Sequence, residues 1–130
     1  MQRGVLFISP RIEDAAALTQ MLAPLDVPVE YACDLTQARS QFETQGFSVV
    51  LTEAFLPDGS WLDVLELARE ARLPAEVIVT HPFADSRFWA EALSLGAYDL
   101  LAQPFHSSEV QRIIANACTR PSRARVAGAA

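Results

Sequence analysis

Short apolar runs alternate with longer amphipathic stretches in this chain, and the alternation recurs five times. The apolar runs are residues 5–8, 29–32, 48–52, 77–79 and 98–102. Apolar residues at helical spacing follow them, as in Leu18, Met21, Leu22 and Leu25. Strands that are apolar throughout and joined by helices form a parallel sheet that is covered on both faces. We therefore predict an α/β fold, a doubly wound five-stranded parallel sheet flanked by five helices.

Hydrogen-bonding side chains mark where the later helices begin. Suitable N-cap residues precede the second to fifth helices, at Asp34, Ser60, Asp85 and Ser107. Asp34 with Gln37 and Ser60 with Asp63 have the spacing of a capping box. The second and third helices therefore have the better-defined starting points.

Glycines mark turns and helix ends. Gly46 is expected to end the second helix in a left-handed conformation, and Gly96 to end the fourth. Pro57 and Gly59 predict a turn in which the glycine takes a positive φ. The inward face of the fourth helix is expected to comprise Phe88, Ala92, Leu93 and Leu95.

All ten basic side chains are arginines, so the chain of 130 residues contains no lysine. A Schiff base and a lysine-dependent phosphate-binding loop are therefore excluded. The net charge of −6 argues against a nucleic-acid-binding surface. We expect no nucleic-acid partner for this domain.

The apolar runs are far shorter than the roughly 18 residues that a membrane span needs, so we expect no membrane partner. Cys33 and Cys118 lack the CxxC spacing and are predicted to be free thiols in a reducing compartment. A cytoplasmic location is the resulting expectation. Residues 1–118 are predicted to form one domain, and 119–130 a flexible tail or the start of a linker.

Ligands bind to doubly wound sheets outside the carboxyl ends of the strands. The residues found there are predicted to be Ser9 and Pro10, Glu53, Thr80 and His81, and Gln103 and Pro104. They form the candidate site.

Three stretches, residues 5–8, 49–59 and 92–105, resemble the receiver domain of bacterial two-component response regulators. They are similar to the family's first strand, its third strand with the following loop, and its fourth-helix end, fifth strand and Lys-Pro-Phe motif. The resemblance covers residues 4 to 118 approximately. It implies a flavodoxin-like sheet of order 2-1-3-4-5 and a place in phosphorelay signal transduction.

The family's chemical residues are replaced in this sequence. Ser9 and Pro10 stand where the resemblance implies an acidic pair that helps to hold Mg²⁺, and Glu53 stands at the phosphoacceptor aspartate. The family's Thr or Ser matches His81 without a gap, or Thr80 if the loop has gained one residue. The switch aromatic falls on Leu100, and the phosphate-binding lysine on Gln103. Pro104 is retained, and the resemblance implies a cis peptide bond before it.

These replacements predict a degenerate receiver, or pseudo-receiver, that is not phosphorylated and is not an enzyme. Mg²⁺ needs near-octahedral oxygen ligands, which proline cannot supply and a serine hydroxyl supplies poorly. Glutamate is one methylene longer than aspartate, and a misplacement of about 1 Å impairs in-line attack. Gln103 lacks the charge of a lysine. We expect no Mg²⁺ and no other cofactor.

Several alternatives remain open. Glu53 is either a constitutive mimic of the phosphorylated state or a carboxylate without a switching role, and atypical phosphorylation is a further alternative. His81 is a plain strand-end residue, a pH switch, a metal ligand or the partner of Ser9 in a catalytic dyad. A small flavodoxin-like ligand-binding protein or enzyme is the remaining alternative class.

The resemblance implies a protein-binding surface on the fourth helix, fifth strand and fifth helix. Its candidate residues are Arg87, Trp89, Glu91, Asp99, Gln111 and Arg112. The expected partner is another protein or a second copy in a homodimer. Trp89 lies off the predicted inward face, so it belongs to a contact patch beside Phe83 or is partly buried.

Overall fold

A computed structural model describes residues 4–82 and 85–119 and places five parallel strands and five helices in alternation. The strands are β1 Gly4–Ile8, β2 Val29–Ala32, β3 Phe47–Glu53, β4 Glu76–His81 and β5 Asp99–Ala102. The helices are α1 Ile12–Leu22, α2 Leu35–Thr44, α3 Trp61–Glu70, α4 Ser86–Leu95 and α5 Ser107–Thr119. A short 3₁₀ helix, Ala23–Leu25, extends α1.

The five strands form one sheet of order β2-β1-β3-β4-β5, and every neighbouring pair is parallel. The predicted fold class and strand order are therefore confirmed. Between β3 and α3, Phe55–Leu56 and Gly59–Ser60 pair as a small antiparallel hairpin around the predicted turn. The predicted tail, apart from Thr119, and Phe83 lie outside the described residues.

Two apolar layers hold the sheet between its helices. One layer packs β-strand residues such as Leu6 and Val79 against α2, α3 and Ala92 of α4. The other packs residues such as Phe7 and Ile78 against α1 and α5. Both faces of the central strands are buried, which is why those strands are apolar at nearly every position.

The predicted N-caps are confirmed for three helices. The Asp34 carboxylate accepts from the Gln37 N–H at 2.9 Å, Ser60 and Asp63 form a reciprocal capping box, and Asp85 accepts from the Phe88 N–H at 2.8 Å. The Gln37 amide oxygen instead accepts from the Cys33 N–H, so the second capping box is not formed as predicted. Ser107 is the first residue of α5 rather than its N-cap.

The glycine predictions are confirmed at only one of three positions. Gly96 ends α4 with φ +120°, as expected of a glycine cap. The prediction for Gly46 is wrong, because the residue that caps α2 is Gln45, which has extended backbone, and Gly46 has no positive φ. Gly59 also lacks a positive φ, since Gly96 is the only described glycine that has one. Close packing explains Gly59 instead, because a Cβ atom there would lie 2.7 Å from Asp63 Oδ2.

The inward face predicted for α4 is partly wrong. Ala92 is buried and Phe88 is half-buried, but Leu93 and Leu95 are 40% and 43% exposed. Helix α4 therefore contacts the sheet over a narrower stripe than its apolar content suggests. No helix within the described ranges is long and apolar enough to cross a membrane.

Candidate functional site

Ser9, Glu53 and Thr80 form a row across three neighbouring strands at the carboxyl edge of the sheet. Ile8 is in register with Thr52, which brings Ser9 level with Glu53, and Glu53 is in register with Thr80. Residues level with one another on parallel strands project to the same face of the sheet. The three side chains therefore lie side by side on the face that α1 and α5 cover.

The Ser9 hydroxyl donates a short hydrogen bond to Oε2 of Glu53. Ser9 Oγ also accepts the Arg11 N–H at 3.0 Å, so this hydroxyl both donates and accepts. The Tyr31 hydroxyl donates to the Ser9 carbonyl at 2.6 Å and so fixes the backbone of this turn. Glu53 is thus tied to the β1 side of the crevice by a residue that is itself held at two points.

Tyr31 joins this network from β2, and no motif in the sequence indicated its role. Burial raises the pKa of its hydroxyl, and the nearby Cys33, Glu13, Glu53 and Asp14 raise it further. The phenol therefore stays protonated and remains a hydrogen-bond donor at neutral pH. Only the positions of β2 and β1 in the folded sheet bring Tyr31 to Ser9.

Thr80 lies on the other side of Glu53. Its side chain is fully buried, and Oγ1 has no hydrogen-bond partner among the described residues. His81 follows it in β4 and projects to the opposite face, where its ring lies 4.9 Å from Phe88 and 6.0 Å from Phe55 between centroids. Thr80, rather than His81, shares the row with Glu53. The alternative of a Ser9–His81 dyad finds no support in this arrangement, because Ser9 donates to Glu53 and the ring of His81 lies on the other face, against Phe88.

The β5 end of the crevice carries Gln103 and Pro104. The peptide bond between them is cis, which confirms the prediction. Gln103 is half-buried and lines a cleft of about 490 Å³ together with Arg11, which precedes α1, and residues of α1 such as Asp14. Leu100, at the switch-aromatic position, is a buried core residue.

The oxygen ligands in the crevice are few. Pro10 is exposed and has no ligand atom on its side chain, and one carboxylate oxygen of Glu53 already accepts a hydrogen bond from the Ser9 hydroxyl. Among the described residues, no group of three His, Cys, Asp or Glu side chains is arranged to hold a metal ion. Mg²⁺ is bound through carboxylates and waters in octahedral geometry, and the row of Ser9, Glu53 and Thr80 contains one carboxylate.

The loop after β3 is fixed by Asp58, which lies between the two residues that predict the turn, Pro57 and Gly59. The Asp58 carboxylate accepts from the backbone N–H groups of Leu35 and Thr36 at 2.8 and 3.0 Å and from the Thr36 hydroxyl at 2.8 Å. Hydrogen bonding to the Leu35 N–H is the main cause that lowers the pKa of Asp58. The loop beside Glu53 is thereby joined to the start of α2.

The candidate protein-binding residues differ in their surroundings. Arg87, Trp89, Glu91 and Arg112 are exposed. The half-buried Gln111 donates to the Met21 carbonyl of α1 at 2.9 Å, and Asp99 accepts from the Leu100 N–H. The exposed part of the predicted surface therefore lies mainly on α4, where Trp89 is 39% exposed and Leu93 adds apolar area.

The chain is similar in sequence to known regulatory proteins of bacteria. The chain is 29% identical over 99 residues to the transcriptional regulatory protein DpiA of Escherichia coli (strain K12). The aligned region covers 72% of this chain and 44% of DpiA. The chain thus spans less than half of that relative. No family model matches the chain.

Two solved structures show the same fold. The signal receiver domain of a putative Luxo repressor protein from Vibrio parahaemolyticus superposes with a TM-score of 0.84 at 19% identity, covering 98% of this chain and 96% of that one. The beryllofluoride-activated NtrC4 receiver domain dimer gives 0.79 at 22% identity, covering 88% and 94%. The chain has the receiver-domain fold. Its resemblance to the receiver domains of response regulators is confirmed.

Proposed function

We propose that this chain is a degenerate receiver domain of two-component signalling that takes no phosphoryl group and works by binding another protein. The observation that supports this most directly is the hydrogen bond from Ser9 to Glu53. At this position a phosphorylatable receiver needs a free carboxylate beside Mg²⁺. Here the Ser9 hydroxyl already donates a hydrogen bond to one oxygen of the Glu53 carboxylate.

The rest of the crevice supports the same proposal. Transfer of a phosphoryl group depends on cations that neutralise its oxygens. Gln103 contributes a neutral amide, and the chain contains no lysine. We accordingly propose that the crevice binds neither Mg²⁺ nor another cofactor and that the domain is not an enzyme. A bacterial cytoplasmic location, with neither a nucleic acid nor a membrane as partner, completes this proposal.

The test is an intact-mass measurement after incubation with Mg²⁺ and a small phosphodonor. We expect no phosphoryl adduct on the wild-type protein. Glu53→Asp alone is also expected to remain unmodified, because Ser9, Pro10 and Gln103 are unchanged. A stable adduct at Glu53 in the wild type, or recovery by that single substitution, would contradict the proposal.

The exposed residues of α4 support a role in protein binding. Trp89 and Leu93 are one helical turn apart and present apolar surface to solvent, flanked by Arg87 and Glu91. The similar NtrC4 receiver domain was solved as a dimer. Size-exclusion chromatography with light scattering decides between a second copy and a different protein as the partner. A monomer that also retains nothing in a pulldown from host lysate would argue against this role.

A further inference from the structure

The row of Ser9, Glu53 and Thr80 contains two hydroxyl donors and a single carboxylate between them. Both neighbours are level with Glu53, one directly after β1 and one on β4. The carboxylate accepts from Ser9, while Thr80 Oγ1 has no partner within the described residues. The arrangement is therefore unequal on its two sides.

The unequal pairing has an identifiable cause. Ser9 Oγ accepts the Arg11 N–H and its carbonyl accepts the Tyr31 hydroxyl, so the Ser9 donor is oriented before Glu53 approaches. Thr80 Oγ1 has no comparable contact among the described residues, although a fully buried hydroxyl without a partner is unfavourable. An oriented donor loses less rotational freedom when it forms a hydrogen bond.

We propose that Glu53 is a two-position carboxylate, and that Ser9 holds it on the β1 side and away from Thr80. Removal of the Ser9 hydroxyl lets the carboxylate turn to Thr80, the next donor in the row. Ser9 is thus a positioning residue that decides whether the charge of Glu53 acts on β1 or on β4, the strand that leads into α4. This inference extends the proposed function, in which Glu53 stays unphosphorylated.

A cycle of substitutions at Ser9 and Thr80 tests the proposal by the equilibrium constant for unfolding in urea. In the wild type, Thr80→Val removes an unpaired buried hydroxyl at nearly equal volume, so we expect the unfolding equilibrium to stay unchanged or to shift toward the folded state. In the Ser9→Ala background the same substitution removes the remaining donor to Glu53. There we expect it to favour unfolding by about tenfold, as the loss of a charge-assisted hydrogen bond does.

The coupling must pass through Glu53 if the proposal is correct. In a Glu53→Ala background, the effects of Ser9→Ala and Thr80→Val are expected to be additive, because no carboxylate remains to be shared. Thr19→Val is the matched control for the loss of a threonine hydroxyl away from the row, since its Oγ1 bonds only within α1. Its effect is expected to be the same with and without Ser9.

If Ser9→Ala does not fold, Ser9→Cys replaces it, because a thiol has a similar size and donates only weakly. Additive effects of Ser9 and Thr80 in the presence of Glu53, or equal coupling in its absence, would overturn the two-position proposal. Neither result depends on phosphorylation, which the intact-mass experiment measures separately. The two proposals can therefore fail independently.

Discussion

The Asp58 carboxylate lies 2.8 Å from the backbone nitrogen of Leu35, twenty-three residues earlier in the chain. Helix α2 therefore begins with two carboxylates, since Asp34 accepts from Gln37 within the same turn. The first N–H groups of a helix have no partner inside it and carry partial positive charge. Asp58 satisfies two of them and at the same time anchors the loop that follows Glu53.

This contact predicts that stability decreases in acid. Backbone hydrogen bonding lowers the pKa of Asp58 in the folded chain. The contribution of this carboxylate to the free energy of unfolding is therefore complete above the unfolded pKa of about 3.9 and is lost as the pH falls through the lower folded pKa. Asp58→Asn should make the free energy of unfolding depend less steeply on pH below about 4. Urea denaturation between neutral and acidic pH measures this slope. Glu43→Gln, at an exposed position near the end of α2, should leave the slope nearly unchanged.

Replacing glycine by alanine should destabilise the chain at Gly96 but not at Gly46. Its φ of +120° is unfavourable for a residue with a side chain, and a Cβ atom would lie 2.1 Å from Nη2 of Arg69, which donates to the Leu95 carbonyl. We expect Gly96→Ala to lower the free energy of unfolding by more than about 1 kcal/mol. Gly46→Ala is the control, because Gly46 does not have a positive φ. It should leave stability unchanged or raise it by up to about 1 kcal/mol. Equal losses at both glycines in thermal or urea denaturation would contradict this expectation.

Local signals in the sequence were sufficient for most of the fold. Apolar runs define a strand that is buried on both faces, and an acid or serine at the right spacing defines a helix start, as Ser60 and Asp63 do. The cis bond before Pro104 followed from the resemblance alone. Gly46 shows the limit of such signals, because a glycine after a helix indicates that the chain turns but not by which conformation.

The crevice was less predictable, because its contacts join residues that are far apart in the sequence. The sequence placed Ser9 and Glu53 at the same edge, but their hydrogen bond depends on the register of β1 against β3. Tyr31 entered the site through the position of β2. The exposure of Leu93 and Leu95 was missed because periodicity counts apolar residues and does not measure how closely a helix approaches its sheet.

Substitution of the two tryptophans should lower stability to very different extents. Trp61 is 4% exposed and lies edge to face against Phe88, whereas Trp89 is 39% exposed. Trp61→Ala is expected to cost about 3–5 kcal/mol of stability, and Trp89→Ala about 0.5 kcal/mol or less. Acrylamide should quench Trp89 in a Trp61→Phe variant much more strongly than Trp61 in a Trp89→Phe variant. Similar quenching of both residues would show that Trp89 is covered, for example by a second copy.

The hydroxyl of Tyr31 should contribute to stability through Ser9, and its contribution should disappear in base. Tyr31→Phe removes the 2.6 Å hydrogen bond to the Ser9 carbonyl and is expected to cost about 1 kcal/mol at neutral pH. Because burial raises the pKa of the folded phenol above 10.0, this contribution is complete below the unfolded pKa and is lost as the pH rises through the folded value.

Ultraviolet titration of tyrosinate, with Tyr31→Phe identifying the signal of this residue, measures the shift. Tyr98→Phe is the matched control and should leave the late-titrating signal in place. Loss of that signal in Tyr98→Phe, or its persistence in Tyr31→Phe, would show that the raised pKa does not belong to Tyr31.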